Sequence, residues 1–199
     1  VVPISAGRHI YKREPSFPIA VACDPAFNFV YEANIRYLHH LGEVTYFSPL
    51  ADTSLPDAGF VYLPGGYPEL YLAALSANRQ MLQSIRRYVE SGGKLLAECG
   101  GMMYLCDEIR DKNGDVYPMA GVLHQSATME NMKLRLGYRT LLCNETRLKG
   151  HEFHYSRLVE QQNPLPSCAV AYTAKGVETD TPLYHYKNVW AGYTHLYWA

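Results

Sequence analysis

One stretch limits the folds open to this chain more than any other: Leu95-Leu-Ala-Glu-Cys99-Gly-Gly-Met-Met-Tyr-Leu105. A short apolar run of strand character meets a cysteine, two glycines follow, and a helical pattern begins. That order is the layout of a nucleophile elbow, a tight strand-to-helix turn that presents one side chain at a helix N-terminus. Close backbone approach at such a turn leaves room only for the smallest residues, a physical reason for Gly100 and Gly101. The partial positive charge of the helix end predicts a thiol pKa below its free value of ~8.5. A lone cysteine is more often a buried core residue than a reactive one. The elbow around Cys99 reverses that preference.

An elbow needs a buried parallel strand beneath it, and the first half of the chain reads as a series of such strands. Ile19-Ala-Val-Ala-Cys23, Val44-Thr-Tyr-Phe47, Phe60-Val-Tyr-Leu63 and Lys94-Leu-Leu-Ala97 are short apolar runs, each stopped by a turn signal. Between them, Val30 to Leu41 carries a helical stripe that ends at Gly42. Asn78 to Glu90 carries a stronger one, with Met81, Leu82, Ile85, Tyr88 and Val89 on one side, ended by Gly92-Gly93. The alternation predicts an α/β domain: an open, mostly parallel, doubly wound sheet with helices on both faces and its chemistry at the carboxyl ends of the strands. Past residue 110 the pattern changes. After a tight turn at Asn113-Gly114, strand-like pieces run over Leu134 to Leu142, Gly150 to Leu158, Ala169 to Ala174 and Val189 to Trp198. These predict antiparallel strands added to the first-half sheet.

With 199 residues and 22.5 kDa the chain is one domain with a sizeable core. Residues 18–199 form that domain; residues 1–17, with Pro3, Pro15 and no periodicity, read as an interdomain linker or tail. Eighteen basic against nineteen acidic residues, with no basic block, argue against nucleic acid or an anionic membrane as partner. No apolar run is long enough to span a bilayer, and no signal peptide opens the chain. Five irregularly spaced cysteines make no disulfide framework, and the odd count points to a reducing, cytoplasmic setting or to one special thiol.

A thiol nucleophile requires a base, which distant parts of the chain usually supply. Of eight histidines, His9 lies in the linker, His39 and His40 read as solvated, and His124 and His185 have no distinctive setting. Two regions remain: Gly150-His-Glu-Phe-His-Tyr-Ser156 and Gly192-Tyr-Thr-His-Leu-Tyr-Trp198. On a strand, Glu152 and His154 face one side and His151 the other. The spacings fit no helical or C-x-x-C zinc site, so no metal is expected. The second glycine turn, Tyr62-Leu-Pro-Gly-Gly-Tyr-Pro-Glu69, can aim backbone N–H groups inward at a strand end. Together with the N–H of Gly100 such groups form an oxyanion hole. No phosphate-binding glycine pattern is present.

Leu63-Pro-Gly-Gly-Tyr-Pro-Glu69, Ala97-Glu-Cys-Gly-Gly101 and Thr194-His-Leu-Tyr197, in this order, resemble the class I (triad-type) glutamine amidotransferase domain. The likeness is nearest to the domains fused to ATP-dependent amide-forming synthetases of the cobyrinic acid a,c-diamide and cobyric acid group. Ala20-Val-Ala-Cys-Asp24, Phe47-Ser-Pro-Leu50 and Gly137-Tyr-Arg139 extend it, and Gly150-His-Glu-Phe-His-Tyr-Ser156 favours the a,c-diamide branch. The resemblance implies a flavodoxin-like fold and glutamine hydrolysis through a cysteinyl thioester, with Cys99 as nucleophile and His195 as base. It implies an oxyanion hole from Gly66 and Gly100, and glutamine contacts from Arg139 and Tyr67. The glutamate that usually stands two residues after the histidine is Tyr197 here, which implies a Cys–His dyad, with Glu152 as a substitute carboxylate. No cofactor is implied for this domain. ATP and Mg²⁺ belong to an N-terminal synthetase domain that this sequence lacks, fused or associated as partner, with a homodimer compatible. The competing readings are a glutaminase for another acceptor, such as cobyric acid or a cell-wall precursor, a related Cys-dependent hydrolase, and an inactive binding module.

Overall fold

The structure, a computed structural model, describes residues 17–198. The linker expected over 1–17 lies outside the described residues apart from Phe17, as does His9. The first half runs β1 (Pro18–Ala22), α1 (Glu32–Leu41), β2 (Glu43–Phe47), β3 (Phe60–Leu63), α2 (Leu72–Ala77), α3 (Arg79–Glu90), β4 (Lys94–Glu98) and α4 (Gly100–Leu105). The inner strands β1, β3 and β4 build the sheet because they bury side chains on both faces, while the edge strand β2 is largely exposed. In β1, Ala20 and Ala22 join the larger core with Val61, Leu63, Leu95 and Ala97. Ile19 and Val21 point the other way, to Leu38 of α1 and to Tyr62. Burial on both sides is what a parallel strand under two helical layers requires. Helix α3 starts where Asn78 accepts the Met81 N–H at 3.4 Å and buries Met81, Leu82, Ile85 and Val89 along one side. Helix α2 has no counterpart in the sequence reading; six residues are too few to show a period.

The second half adds β5 (Glu108–Arg110), β6 (Val116–Pro118), β7 (Ser126–Thr128), β8 (Arg135–Cys143), β9 (Thr146–His154), β10 (Arg157–Leu158), β11 (Val170–Thr173), β12 (Glu178–Thr179), β13 (Leu183–Tyr186), β14 (Val189–Gly192) and β15 (His195–Leu196). The main sheet has the order β13-β14-β4-β3-β1-β2, parallel except for the edge strand β13. The other strands form two smaller sheets, β10-β7-β5-β6 and β12-β11-β8-β9-β15. The second half therefore gives the main sheet only two strands, one of them parallel, rather than an antiparallel extension. The run expected over Val189 to Trp198 is split: β14 lies beside β4, and after Tyr193-Thr194 β15 joins β9 in another sheet. The piece expected over Gly150 to Leu158 likewise divides between β9 and β10.

This split sets up the site. Strand β4 is flanked by β3 and β14, so Cys99 emerges between two covered neighbours. Strand β15 is carried to the same end of the sheet by β9 and is pinned to α1. There Asn34, buried in the helix, donates through Nδ2 to the Leu196 carbonyl at 2.7 Å and accepts the Trp198 N–H at 3.0 Å.

Candidate active site

Cys99 has φ +49° and ψ −107°, a conformation that side chains rarely adopt, at the junction of β4 and α4. The two residues after it explain how the turn closes. A Cβ on Gly101 would stand 2.1 Å from the Leu63 carbonyl oxygen, and one on Gly100 would stand 2.7 Å from Pro68 Cδ and 3.2 Å from the Gly66 nitrogen. The Pro64-Gly65-Gly66 turn at the end of β3 thus lies directly against the elbow. Gly66, at φ +157°, is itself pressed on the Ala26 carbonyl, 2.1 Å from where its Cβ would be. The Tyr67 N–H donates to that carbonyl at 3.0 Å, while the Tyr67 ring is largely exposed.

His195 is buried on β15, directly across from His151 of β9. Its ring packs on Phe29 at 4.3 Å between centroids. A Cβ on Gly65 would stand 2.1 Å from its Cε1. Gly150 lets β15 come this close, since a Cβ there would stand 2.2 Å from the His195 carbonyl oxygen. The His195 Nδ1 has no hydrogen-bond partner. Burial, then the neighbouring charges of His151 and His154, hold this imidazole down at about 4.

The thiol departs from the sequence expectation. Burial, reinforced by the nearby charge of Glu69, pushes Cys99 up to about 12, although the Gly100 N–H pulls in the other direction. A six-residue helix end does not offset the loss of water around the sulfur. At neutral pH these shifts leave Cys99 as a thiol and His195 as a neutral imidazole. The sulfur lies 3.8 Å from the Phe153 carbonyl oxygen, so β9 forms one wall of the thiol's surroundings.

Glu152 and Arg139 take part in a different network. The Glu152 carboxylate accepts from His154 Nε2 at 2.8 Å and from the Thr181 hydroxyl at 2.9 Å, and it pairs with Arg139 Nε. His154 also stacks on Tyr193 at 3.7 Å, nearly parallel. Glu152 is therefore committed to His154, as their shared strand face required, and not to His195. Arg139 is nine-tenths buried; beyond Glu152 it donates to Thr181 Oγ1 at 3.3 Å and to the Tyr138 carbonyl at 3.1 Å. It also borders a cleft of about 650 Å³ with Phe29, Tyr31, Tyr138, Lys149 and Tyr197, beside His195.

Sequence reasoning passed over Glu98. It is buried at the end of β4, accepting from the Tyr62 hydroxyl at 2.7 Å and from the Leu196 N–H at 3.1 Å. Burial raises its carboxyl to about 8, against the lowering effect of those two bonds. The visible signal was an acidic residue closing an apolar strand of a parallel sheet, where charge is costly. Among the described residues no group of three or more His, Cys, Asp or Glu side chains could hold a metal ion. No helix among them is long and apolar enough to cross a membrane.

The arrangement fits a cysteine hydrolase of acyl compounds: a thiol at a strained turn, an imidazole carried on a strand of the second sheet, and two glycine turns facing each other. Residues 18–199 match the family described as the CobB/CobQ-like glutamine amidotransferase domain. A hydrogenobyrinate a,c-diamide synthase of Pseudomonas aeruginosa is 40% identical over 185 residues, 90% of this chain and 41% of its own length. A cobyrinate a,c-diamide synthase of Fusobacterium nucleatum is 40% identical over 188 residues, with the same shares, and one of Salmonella typhimurium is 36% identical over 190. The chain thus spans about two fifths of the length of these relatives. Among solved structures, PurLQS from Thermotoga maritima superposes with a TM-score of 0.62 at 18% identity, covering 90% of this chain and 87% of that one. A glutamine amidotransferase from the same organism gives 0.58 at 13%, with 90% and 75% covered. These two likenesses concern the fold: α/β, with a mostly parallel main sheet.

Proposed function

The chain belongs to the CobB/CobQ-like glutamine amidotransferase family, and we propose that it hydrolyses glutamine to supply ammonia to an a,c-diamide synthase of the corrin ring. Cys99 is the nucleophile and His195 the base. Because both groups are neutral at rest, the proton moves from Sγ to the imidazole as sulfur attacks the side-chain amide carbon, not before. The tetrahedral oxyanion is held by the Gly66 and Gly100 N–H groups. The C–N bond breaks as His195 returns the proton, and ammonia leaves a glutamyl thioester on Cys99. Water, deprotonated by the same imidazole, then cleaves the thioester to glutamate and free thiol. With Tyr197 where a carboxylate would stand and Glu152 committed to His154, no acidic side chain holds Nδ1 of this base.

The observation that carries the reading is the elbow itself: a non-glycine residue at φ +49° followed by two glycines with no room for a Cβ. The names of the relatives support the corrin acceptor; the ATP-dependent step belongs to a synthetase partner, and no group of this chain is assigned to it. The test is covalent labelling with an electrophilic glutamine analogue and peptide mapping. A single label on Cys99, blocked by excess glutamine and absent in Cys99→Ala, is expected. Equal labelling of Cys106, Cys143 and Cys168, or no protection by glutamine, would overturn the proposal. Ammonia-dependent amidation by the synthetase partner, made glutamine-dependent by adding this chain, tests the acceptor.

A further inference from the structure

We infer that Glu98 is a positioning residue for the nucleophile–base pair: its carboxyl ties the strand that carries His195 to the strand that carries Cys99. The inference rests on the glutaminase reading and adds a residue to it. Glu98 precedes Cys99 directly in the chain, and its Oε1 accepts the N–H of Leu196, the residue directly after His195. One side-chain hydrogen bond therefore joins the two halves of the pair, each one peptide unit away.

Little else holds the imidazole by direction. Its Nδ1 is unbonded, and packing on Phe29 and Gly65 limits its position without orienting a hydrogen bond. Its geometry comes from the backbone of β15, a strand of two residues. The N–H and carbonyl of Leu196 both end on side chains, the N–H on Glu98 of β4 and the carbonyl on Asn34 of α1. The far oxygen of Glu98 is fixed in turn by the Tyr62 hydroxyl of β3 at 2.7 Å. Glu98, on the α1 side of the sheet, thus bridges β3, β4 and β15 beneath the site while Cys99 projects from the opposite side. A residue present only for packing between Tyr62 and Leu96 would be apolar, since an acid buried to 2% exposure is costly. A neutral carboxyl can accept from Leu196 and still bond Tyr62. Its burial keeps it in that state at pH 7.

The test compares labelling of Cys99 by the electrophilic glutamine analogue in the unmodified chain and in Glu98→Gln, Glu98→Met and Glu98→Asp. For each, the maximal rate, the half-saturating concentration and the melting temperature are recorded. Glutamine at this position can accept from Leu196 and donate to Tyr62, so Glu98→Gln is expected within threefold of the parent in maximal rate. Met has no acceptor and Asp falls a methylene short. Each is expected to lose tenfold or more in maximal rate with half-saturation unchanged within threefold, a split that general loosening would not give. If Glu98→Met does not fold, Glu98→Asp carries the comparison. Folded Met or Asp variants that label at the parent rate, or a Gln variant as slow as they are, would overturn the inference alone. An unmodified chain that is not labelled at Cys99, or is labelled without protection by glutamine, would overturn the glutaminase reading and this inference with it.

Discussion

Gly65→Ala separates the chemistry of this site from its stability. Gly65 does not adopt a positive φ, so its backbone accepts an alanine without strain. The three atoms nearest to the added Cβ all belong to one imidazole: Cε1 of His195 at 2.1 Å, Nδ1 at 2.8 Å and Nε2 at 3.2 Å. Ordinary contact begins at 3.4 Å, so the ring has to withdraw by about 1.3 Å. It cannot do so freely, because Phe29 packs against it at 4.3 Å. A displacement of ~1 Å in a reacting group costs on the order of 10²-fold in rate, whereas one extra methyl in a packed interior costs ~1–3 kcal/mol. For a domain of this size that corresponds to a fall in Tm of roughly 3–10 °C. The expected outcome is a folded protein, cooperative in thermal melting, that labels at Cys99 on the order of a hundred times more slowly. A Gly65→Ala variant that labels within threefold of the parent would show that His195 is not the group that receives the thiol proton, or that the ring has room which the structure denies it.

Three further outcomes are expected. Gly101→Ala meets a backbone carbonyl, that of Leu63 at 2.1 Å, instead of a movable side chain; it should lower stability by about 2 kcal/mol or more, seen as an earlier urea midpoint. The Glu98 carboxyl is raised to about 8 in the folded state, so its contribution is fully present below the unfolded value near 4.5 and is lost as pH rises toward 8. At ~1.4 kcal/mol per unit, the stability of Glu98→Gln relative to the parent should rise by about 2–3 kcal/mol between pH 5 and pH 7, and urea titrations at the two values decide it. Burial tends to raise Glu152, but its bonds to His154 and Thr181 and the charge of Arg139 leave it lowered. Its contribution is therefore present above about 4.5 and lost as pH falls. Glu152→Gln should flatten that acid loss and, by leaving Arg139 uncompensated, cost ~3–5 kcal/mol at pH 7, part of which Arg139→Met in the same chain should restore.

The parallel sheet was legible because its inner strands are apolar on both faces and its strands are stopped by turns rich in glycine or proline. Leu63-Pro-Gly-Gly66 and Glu98-Cys-Gly-Gly101 mark two strand ends by residues that no other side chain can replace. Local signals do not tell which sheet a strand joins. Val189 to Trp198 reads as one apolar run, yet Tyr193 and Thr194 turn it from the main sheet into the second one. The lowered thiol pKa expected of an elbow was a local inference, and burial by β9, more than fifty residues later, reverses it. Glu152 is the substitute for the missing carboxylate only as a reading of the resemblance; its same-face neighbour His154 takes the carboxylate. Glu98 went unnoticed because its partners lie 36 and 98 residues away.

The bonds from Asn34 to Leu196 and Trp198 span 162 and 164 residues of chain. They join segments far apart in the chain, and they join them late: β14, which covers one side of the strand that leads to Cys99, and β15, which carries His195, both follow residue 188. In a growing polypeptide the elbow and both glycine turns are therefore made well before His195. On the proposed function, glutamine hydrolysis therefore waits until the first helix has received β15, which ties release of a diffusible product to the docking of one short strand.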